Sequence, residues 1–140
     1  MKNFAERFVL ILVPLLLAAC VPTVDTACDS VDGLTAALRD SGAEADSGEQ
    51  IDQSFFTVPA QRLVVNAEDV QVFAYPSVDL ARSDAAQVSP DGYSVGTSMV
   101  TWIATPHFFQ CGKLIVLYVG DNSELLTMLK AQLGSQFAGG

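Results

Sequence analysis

Basic residues and histidine are scarce in this sequence. Its 140 residues include 7 Lys and Arg against 16 Asp and Glu, with a single histidine, so the formal net charge is −9. Nucleic acids and anionic lipid headgroups are bound electrostatically by clustered cations, which this sequence lacks. We therefore exclude nucleic acid as a partner. The length suits one domain with a hydrophobic core, which excludes a large multidomain enzyme.

Nucleotide and metal motifs are also missing. The sequence contains neither the phosphate-binding pattern G-x-x-x-x-G-K-[ST] nor the dinucleotide pattern G-x-G-x-x-G. Acidic residues are dense between Asp40 and Asp52, but their spacing differs from that of a calcium-binding loop. We interpret them as a solvated acidic loop, and we predict no cofactor.

The N-terminus carries a short apolar run behind two basic residues. Lys2 and Arg7 precede residues 8–19, which are uncharged. As a helix this run would span about 18 Å, whereas the hydrocarbon core of a bilayer is about 30 Å thick. A charged start, a short apolar run and small residues at its end are typical of an export signal. We expect residues 1–19 to be a signal peptide that is removed.

The end of this run, Leu17-Ala18-Ala19-Cys20, resembles the lipobox of bacterial lipoproteins. The resemblance implies cleavage before Cys20 and attachment of fatty acids such as palmitate there. Two or three acyl chains anchor a protein stably, so it also implies a lipid anchor on the extracytoplasmic face of the cell membrane, or in the outer membrane of a double-membraned cell. Cleavage leaves 5 bases and 15 acids, a formal charge of −10.

The remaining chain divides into a lipidated tether, residues 20–29, and a single domain, residues 30–140. That domain resembles small lipoproteins without an assigned role, a resemblance that transfers no site. Apolar residues at helical spacing predict three helices. The helices run from Ser30 to Gly42, from Ser77 to a turn at Ser89-Pro90-Asp91-Gly92, and from Asp121, the expected cap paired with Glu124, to Gly134.

Alternating or continuous apolar runs predict six strands. They cover residues 54–58, 62–66, 70–75, 99–104, 107–110 and 114–119. Residues 43–50 are either a loop or a short edge strand. Residues 114–119 are apolar at every position, which indicates a central strand covered on both faces, reached through a hairpin turn at Cys111-Gly112. The order αβββαβββα predicts an α+β domain, an antiparallel sheet with helices packed mainly on one face.

One pentapeptide matches a catalytic motif. Gly92-Tyr93-Ser94-Val95-Gly96 fits the G-x-S-x-G nucleophile elbow of serine hydrolases. That elbow follows a strand and opens a helix, whereas this segment follows a helix and leads into a strand. No acid lies between Ser94 and His107, so the usual order of serine, acid and histidine is not met. We favour a flexible loop, and a small envelope hydrolase using Ser94 and His107 is the alternative.

The cysteines beyond the lipobox allow three interpretations. Cys28 and Cys111 would pair as a disulfide in an oxidising exterior. They could also lie too far apart to bond. In the third interpretation, Cys28, His107 and Cys111 form a zinc site or metal-binding module, although no fourth ligand is evident.

Aromatic residues concentrate in and near the predicted strands. The pairs Phe55-Phe56 and Phe108-Phe109 cannot both face inward from regular strands, so one ring of each pair is either exposed or covered by another element. An exposed aromatic patch would mark an interface. We therefore predict a non-catalytic binding or interaction module for a protein or envelope component. Its candidate binding residues are Tyr93, Ser94, Trp102 and His107.

Overall fold

The computed structural model describes residues 26–140 and has three α-helices and eight β-strands there, which confirms the predicted α+β fold. The predicted signal peptide, the lipobox and residues 21–25 of the predicted tether lie outside the described residues. Thr26–Cys28, the next part of that tether, form a 3₁₀ turn in which Ala27 and Cys28 are buried. No helix within residues 26–140 is long and apolar enough to cross a membrane.

The three helices begin at polar side chains that accept hydrogen bonds from the first turn. They are α1 (Val31–Asp40), α2 (Val78–Ala85) and α3 (Ser123–Leu133). Ser30 caps α1 and Ser77 caps α2. Each serine begins a Ser-Val-Asp tripeptide, and both tripeptides are therefore helix starts. The cap of α3 is Asn122 and not the predicted Asp121, because the Asn122 side chain accepts the N–H groups of Glu124 and Leu125.

Six strands form one antiparallel sheet in the order β1-β2-β3-β7-β6-β8, and β4 pairs with β5 in a separate hairpin. The edge-strand alternative for residues 43–50 is confirmed, since β1 lies at the margin of the sheet. The prediction of a central strand at residues 114–119 is also confirmed. The strands are β1 (Ala45–Ile51), β2 (Ala60–Val65), β3 (Glu68–Ala74), β4 (Ser94–Val95), β5 (Ser98–Met99), β6 (Pro106–Cys111), β7 (Leu114–Val119) and β8 (Ala138–Gly139).

Two predicted strands are wrong. Residues 54–58 form turns, because the Thr57 N–H donates to the Asp84 carboxylate at 2.8 Å instead of entering a sheet ladder. Of residues 99–104, only Met99 is extended in a strand. The chain then turns so that the Trp102 indole donates to the Gly92 carbonyl at 2.8 Å.

Two element ends also differ from the prediction. The hairpin turn between β6 and β7 is Gly112-Lys113, one residue later than predicted, because Cys111 pairs with Leu114. Val88 lies beyond the end of α2 and forms a β-bridge with Val95. The second helix is therefore shorter than its apolar spacing suggested.

Both faces of the sheet are covered. Leu34 and Leu38 of α1 pack with Leu125 and Leu129 of α3 against one face. Ala81 of α2 packs on the other face, in a second cluster built around aromatic residues. The prediction that helices lie mainly on one face is not confirmed, since this second face has a helix of its own.

Candidate binding site

The hairpin of β4 and β5 brings three of the predicted binding residues together. Ser94 pairs with Met99, and the Val100 N–H donates to the Tyr93 carbonyl at 3.0 Å. The Trp102 indole closes the same segment through the Gly92 carbonyl. Tyr93, Ser94 and Trp102 therefore belong to one folded segment, which runs from Gly92 to Ile103.

A cluster of aromatic rings packs between this segment and the sheet. The Trp102 ring meets the rings of Phe55 and Phe108 edge-on, with centroids 6.0 Å apart in both pairs. Phe56 continues the cluster to Phe73 at 4.8 Å. Edge-to-face contacts of this kind stabilise aromatic packing beyond the buried area alone. The half-buried Trp102 is thus a support for the segment and not a free contact residue.

Three large apolar side chains of the same segment are exposed. Tyr93 is 47% exposed, Met99 89% and Ile103 100%. We call these three residues the hairpin surface. Large apolar side chains remain uncovered at a cost in apolar hydration, and several of them on one short segment make it a candidate interaction site. The sequence indicated Tyr93 but missed Met99 and Ile103, because a predicted strand at 99–104 placed alternate side chains in the core.

The turn before the hairpin surface is held by a carboxylate. Asp91 accepts hydrogen bonds from the Ser89 hydroxyl at 2.5 Å and from the Tyr93 N–H at 3.0 Å. These bonds favour the charged form and hold the pKa of Asp91 below its usual value. The Ser89 hydroxyl in turn accepts the Ser94 N–H at 3.0 Å. Ser89 and Asp91, which precede the G-x-S-x-G match, thus bind the backbone N–H groups of two of its residues and hold the turn into the hairpin.

His107 lies on the other face of the sheet. Its Nδ1 is 2.9 Å from Oε1 of Gln136, and its ring stacks on Tyr118 with centroids 6.1 Å apart. The next residue, Phe108, faces Trp102, since successive residues of a strand point to opposite faces. The structure therefore does not bring His107 to Ser94, and the two do not form a nucleophile and base.

Cys28 and Cys111 form a disulfide with Cα atoms 5.1 Å apart, which confirms the first of the three interpretations. The bond ties the 3₁₀ turn to the end of β6, and the Lys113 N–H donates to the Cys28 carbonyl at 2.9 Å. With both sulfurs bonded to each other, the zinc interpretation loses two of its three ligands. Within residues 26–140, no three His, Cys, Asp or Glu side chains group as metal ligands.

A buried carboxylate was missed in the sequence. Asp84 of α2 is 3% exposed and accepts from the Tyr75 hydroxyl at 2.9 Å, as well as from the Thr57 backbone and hydroxyl. Burial, together with the bond and charge of Asp84, raises the pKa of Tyr75. The available signal was position: Asp84 falls three residues after Ala81, on the apolar face of α2. It holds the turn carrying Phe55 and Phe56 against the sheet.

The predicted acidic loop is an ordered strand margin. Asp46 of β1 pairs with Arg39 at 2.8 Å, and Glu49 lies 3.4 Å from Arg62. These pairs are largely exposed, so each contributes little to stability. The acids nevertheless suit an edge strand, because charged side chains discourage pairing with another sheet.

The protein is thus a small α+β domain whose sheet is covered on both faces and whose segment from Gly92 to Ile103 carries exposed apolar side chains. No protein family, curated protein or solved structure in our comparisons matches the chain.

Proposed function

We propose that this protein is a lipid-anchored extracytoplasmic lipoprotein whose domain is a non-catalytic binding module of the cell envelope. The hairpin surface is its contact area for a protein partner. The exposure of Met99 and Ile103 on a segment braced by Trp102 carries the proposal. Rigid support beneath exposed apolar side chains lowers the entropy cost of binding.

Two observations support the anchor. The lipobox places Cys20 at the end of the apolar run. The disulfide between Cys28 and Cys111 suits an oxidising exterior, where such bonds persist. A cytosolic protein would more often keep these thiols reduced.

The disulfide also relates the anchor to the hairpin surface. It fixes the start of the described chain at the Cys111 end of β6, eight residues after Cys20. Gly92, which precedes the hairpin surface, lies beside Pro106 at the opposite end of β6. A strand of this length spans about 17 Å, at about 3.4 Å per residue. The described residue nearest to the proposed anchor and the start of the hairpin surface therefore lie at opposite ends of β6.

Fractionation tests the anchor. Cys20→Ser should move the protein from the membrane fraction to the soluble extracytoplasmic fraction and abolish labelling by a fatty-acid analogue. The matched control, Cys28→Ser with Cys111→Ser, removes cysteines without touching the lipobox and should stay in the membrane. Membrane retention of the Cys20→Ser protein would contradict the anchor.

Site-specific photo-crosslinking tests the contact area. A photoreactive residue at position 103 in intact cells should give a discrete adduct that Met99→Asp abolishes. The same residue at position 46, exposed on β1, is the control and should give no such adduct. Equal adducts from both positions would refute a specific contact at the hairpin.

A fluorophosphonate probe tests the absence of catalysis. We expect no covalent labelling of the wild-type protein, because Ser94 has no histidine beside it. Labelling that Ser94→Ala removes would instead establish the hydrolase alternative.

A further inference from the structure

A concave site lies on the face of the sheet opposite to the hairpin surface, between α3 and β6. It encloses about 230 Å³ and is lined by Phe109, Leu126, Thr127, Lys130, Ser135 and Gln136. Phe109 and Leu126 supply its apolar wall, and the other four residues supply a polar rim. A wall of this kind beside a few polar groups is the usual make-up of a small-molecule site.

The charge of the pocket is opposite to that of the protein. Lys130 is the only charged residue of the lining, which contains no carboxylate. Within residues 26–140 the ion pairs are made by Arg39 and Arg62, with contacts as short as 2.8 and 2.6 Å, and Lys130 makes none. Lys130 thus gives the pocket lining a single positive charge, although the chain as a whole has a net charge of −9.

The polar rim is partly fixed and partly free. The Gln136 side chain is held at both ends, by His107 Nδ1 at 2.9 Å and by the Gly139 carbonyl, to which it donates at 2.9 Å. The Thr127 hydroxyl donates to the Ser123 carbonyl within α3. No hydrogen bond among residues 26–140 uses the Ser135 hydroxyl or its backbone N–H. Ser135, which is exposed, therefore has two donors without an acceptor among the described residues, in the same pocket lining as Lys130.

We propose that this pocket binds a small organic carboxylate. Its carboxylate accepts hydrogen bonds from Lys130 and Ser135, and its short apolar tail packs on Phe109 and Leu126. Pockets for drug-sized ligands enclose roughly 300–1,000 Å³, so this smaller volume suits a ligand of about a dozen non-hydrogen atoms or fewer. Charge-assisted hydrogen bonds supply the preference for an acid over its neutral amide. The inference does not depend on the lipid anchor or on the hairpin surface.

The test titrates the detergent-solubilised full chain with sodium hexanoate and with hexanamide, followed by ligand-observed NMR. Hexanoate should bind saturably and hexanamide much more weakly. Lys130→Gln should weaken hexanoate binding about tenfold, because a charge-assisted hydrogen bond is lost. Lys130→Arg keeps the charge and should retain binding. Lys113→Gln removes the same charge from the hairpin turn and should change affinity by no more than about twofold.

A second pair of ligands separates two sources of the carboxylate. N-acetylleucine imitates a peptide C-terminus, and N-acetylleucinamide is its neutral control. Tighter binding of hexanoate assigns the pocket to free short-chain acids, and tighter binding of N-acetylleucine assigns it to peptide C-termini. Equal binding of acid and amide, no saturation up to tens of millimolar, or insensitivity to Lys130→Gln would overturn the proposal.

Discussion

At the scale of single residues, Asp84 shows how one buried carboxylate organises a region without regular structure. It holds Thr57 of the preceding turn and the Tyr75 hydroxyl at the end of β3. The Tyr75 hydroxyl is buried and has no other acceptor among the described residues if Asp84 is removed. The aromatic cluster beneath the hairpin surface thus depends on a polar contact next to it, because the same turn carries Phe55 and Phe56.

Asp84→Ala should lower the free energy of unfolding by about 3 kcal/mol, since it leaves the buried Tyr75 hydroxyl without its acceptor. Urea denaturation measures this change. Asp46→Ala is the control, because its ion pair with Arg39 is exposed, and it should cost no more than about 1 kcal/mol. Similar losses in both variants would contradict the prediction that the buried Asp84 carboxylate stabilises the fold more than the exposed Asp46 ion pair does.

Tyr75 gives a prediction about alkaline pH. Burial and Asp84 raise its pKa in the folded protein, whereas an unfolded tyrosine ionises near pH 10. Above about pH 10 the unfolded chain loses this proton and the folded chain keeps it, so stability is present below that pH and falls as the pH rises further. The free energy of unfolding should fall less steeply above pH 10 in Tyr75→Phe. Parallel curves for the two proteins would refute the shift.

At the scale of elements, the structure shows which sequence signals were sufficient. Alternation in β3 and the continuous apolar run of β7 predicted the centre of the sheet, because burial on one or two faces leaves a direct pattern. Ser30 and Ser77 marked their helices for a similar local reason. The failed strands, residues 54–58 and 99–104, have strand-like composition, but distant partners decide their shape.

The candidate site was predictable in part for the same reason. Tyr93, Ser94 and Trp102 are close in the sequence and lie in one segment. His107 was grouped with them by its position in the chain, but the two-residue period of β6 turns it to the opposite face. The pocket under α3 was not predictable, since Phe109 and Lys130 meet only after the helix has packed on β6.

The turn between β6 and β7 gives a prediction for an element junction. Gly112 has a φ of +53°, and a Cβ there would lie 2.6 Å from the Cys28 carbonyl oxygen. Gly112→Ala should therefore combine backbone strain with a clash and lower stability by about 2 kcal/mol or more. Gly42→Ala is the matched control, because Gly42 has a φ of +95° but no atom near its Cβ position. Denaturant titration should show the larger loss at Gly112; a larger loss at Gly42 would contradict the clash.

At the scale of the whole molecule, the disulfide connects the start of the described chain to the end of β6. It closes a sequence separation of 83 residues that includes β1, β2, β3 and α2. Such a long loop restricts the unfolded chain strongly, so the bond stabilises the fold without adding much contact area. It also connects the tether covalently to β6, which lies beside β7 at the centre of the sheet.

Cys28→Ala with Cys111→Ala should lower the free energy of unfolding by about 4 to 5 kcal/mol in the chain-entropy model. The loss should be accompanied by faster hydrogen exchange in Thr26–Cys28, which the bond holds against the Gly112-Lys113 turn. Cys20→Ser leaves this disulfide intact and should unfold like the wild-type chain in the same detergent. Intact mass before and after reduction should differ by two hydrogens in the wild type and by none in the double variant. A double variant within about 1 kcal/mol of the wild type would mean that packing of the two sheet faces alone holds the domain together.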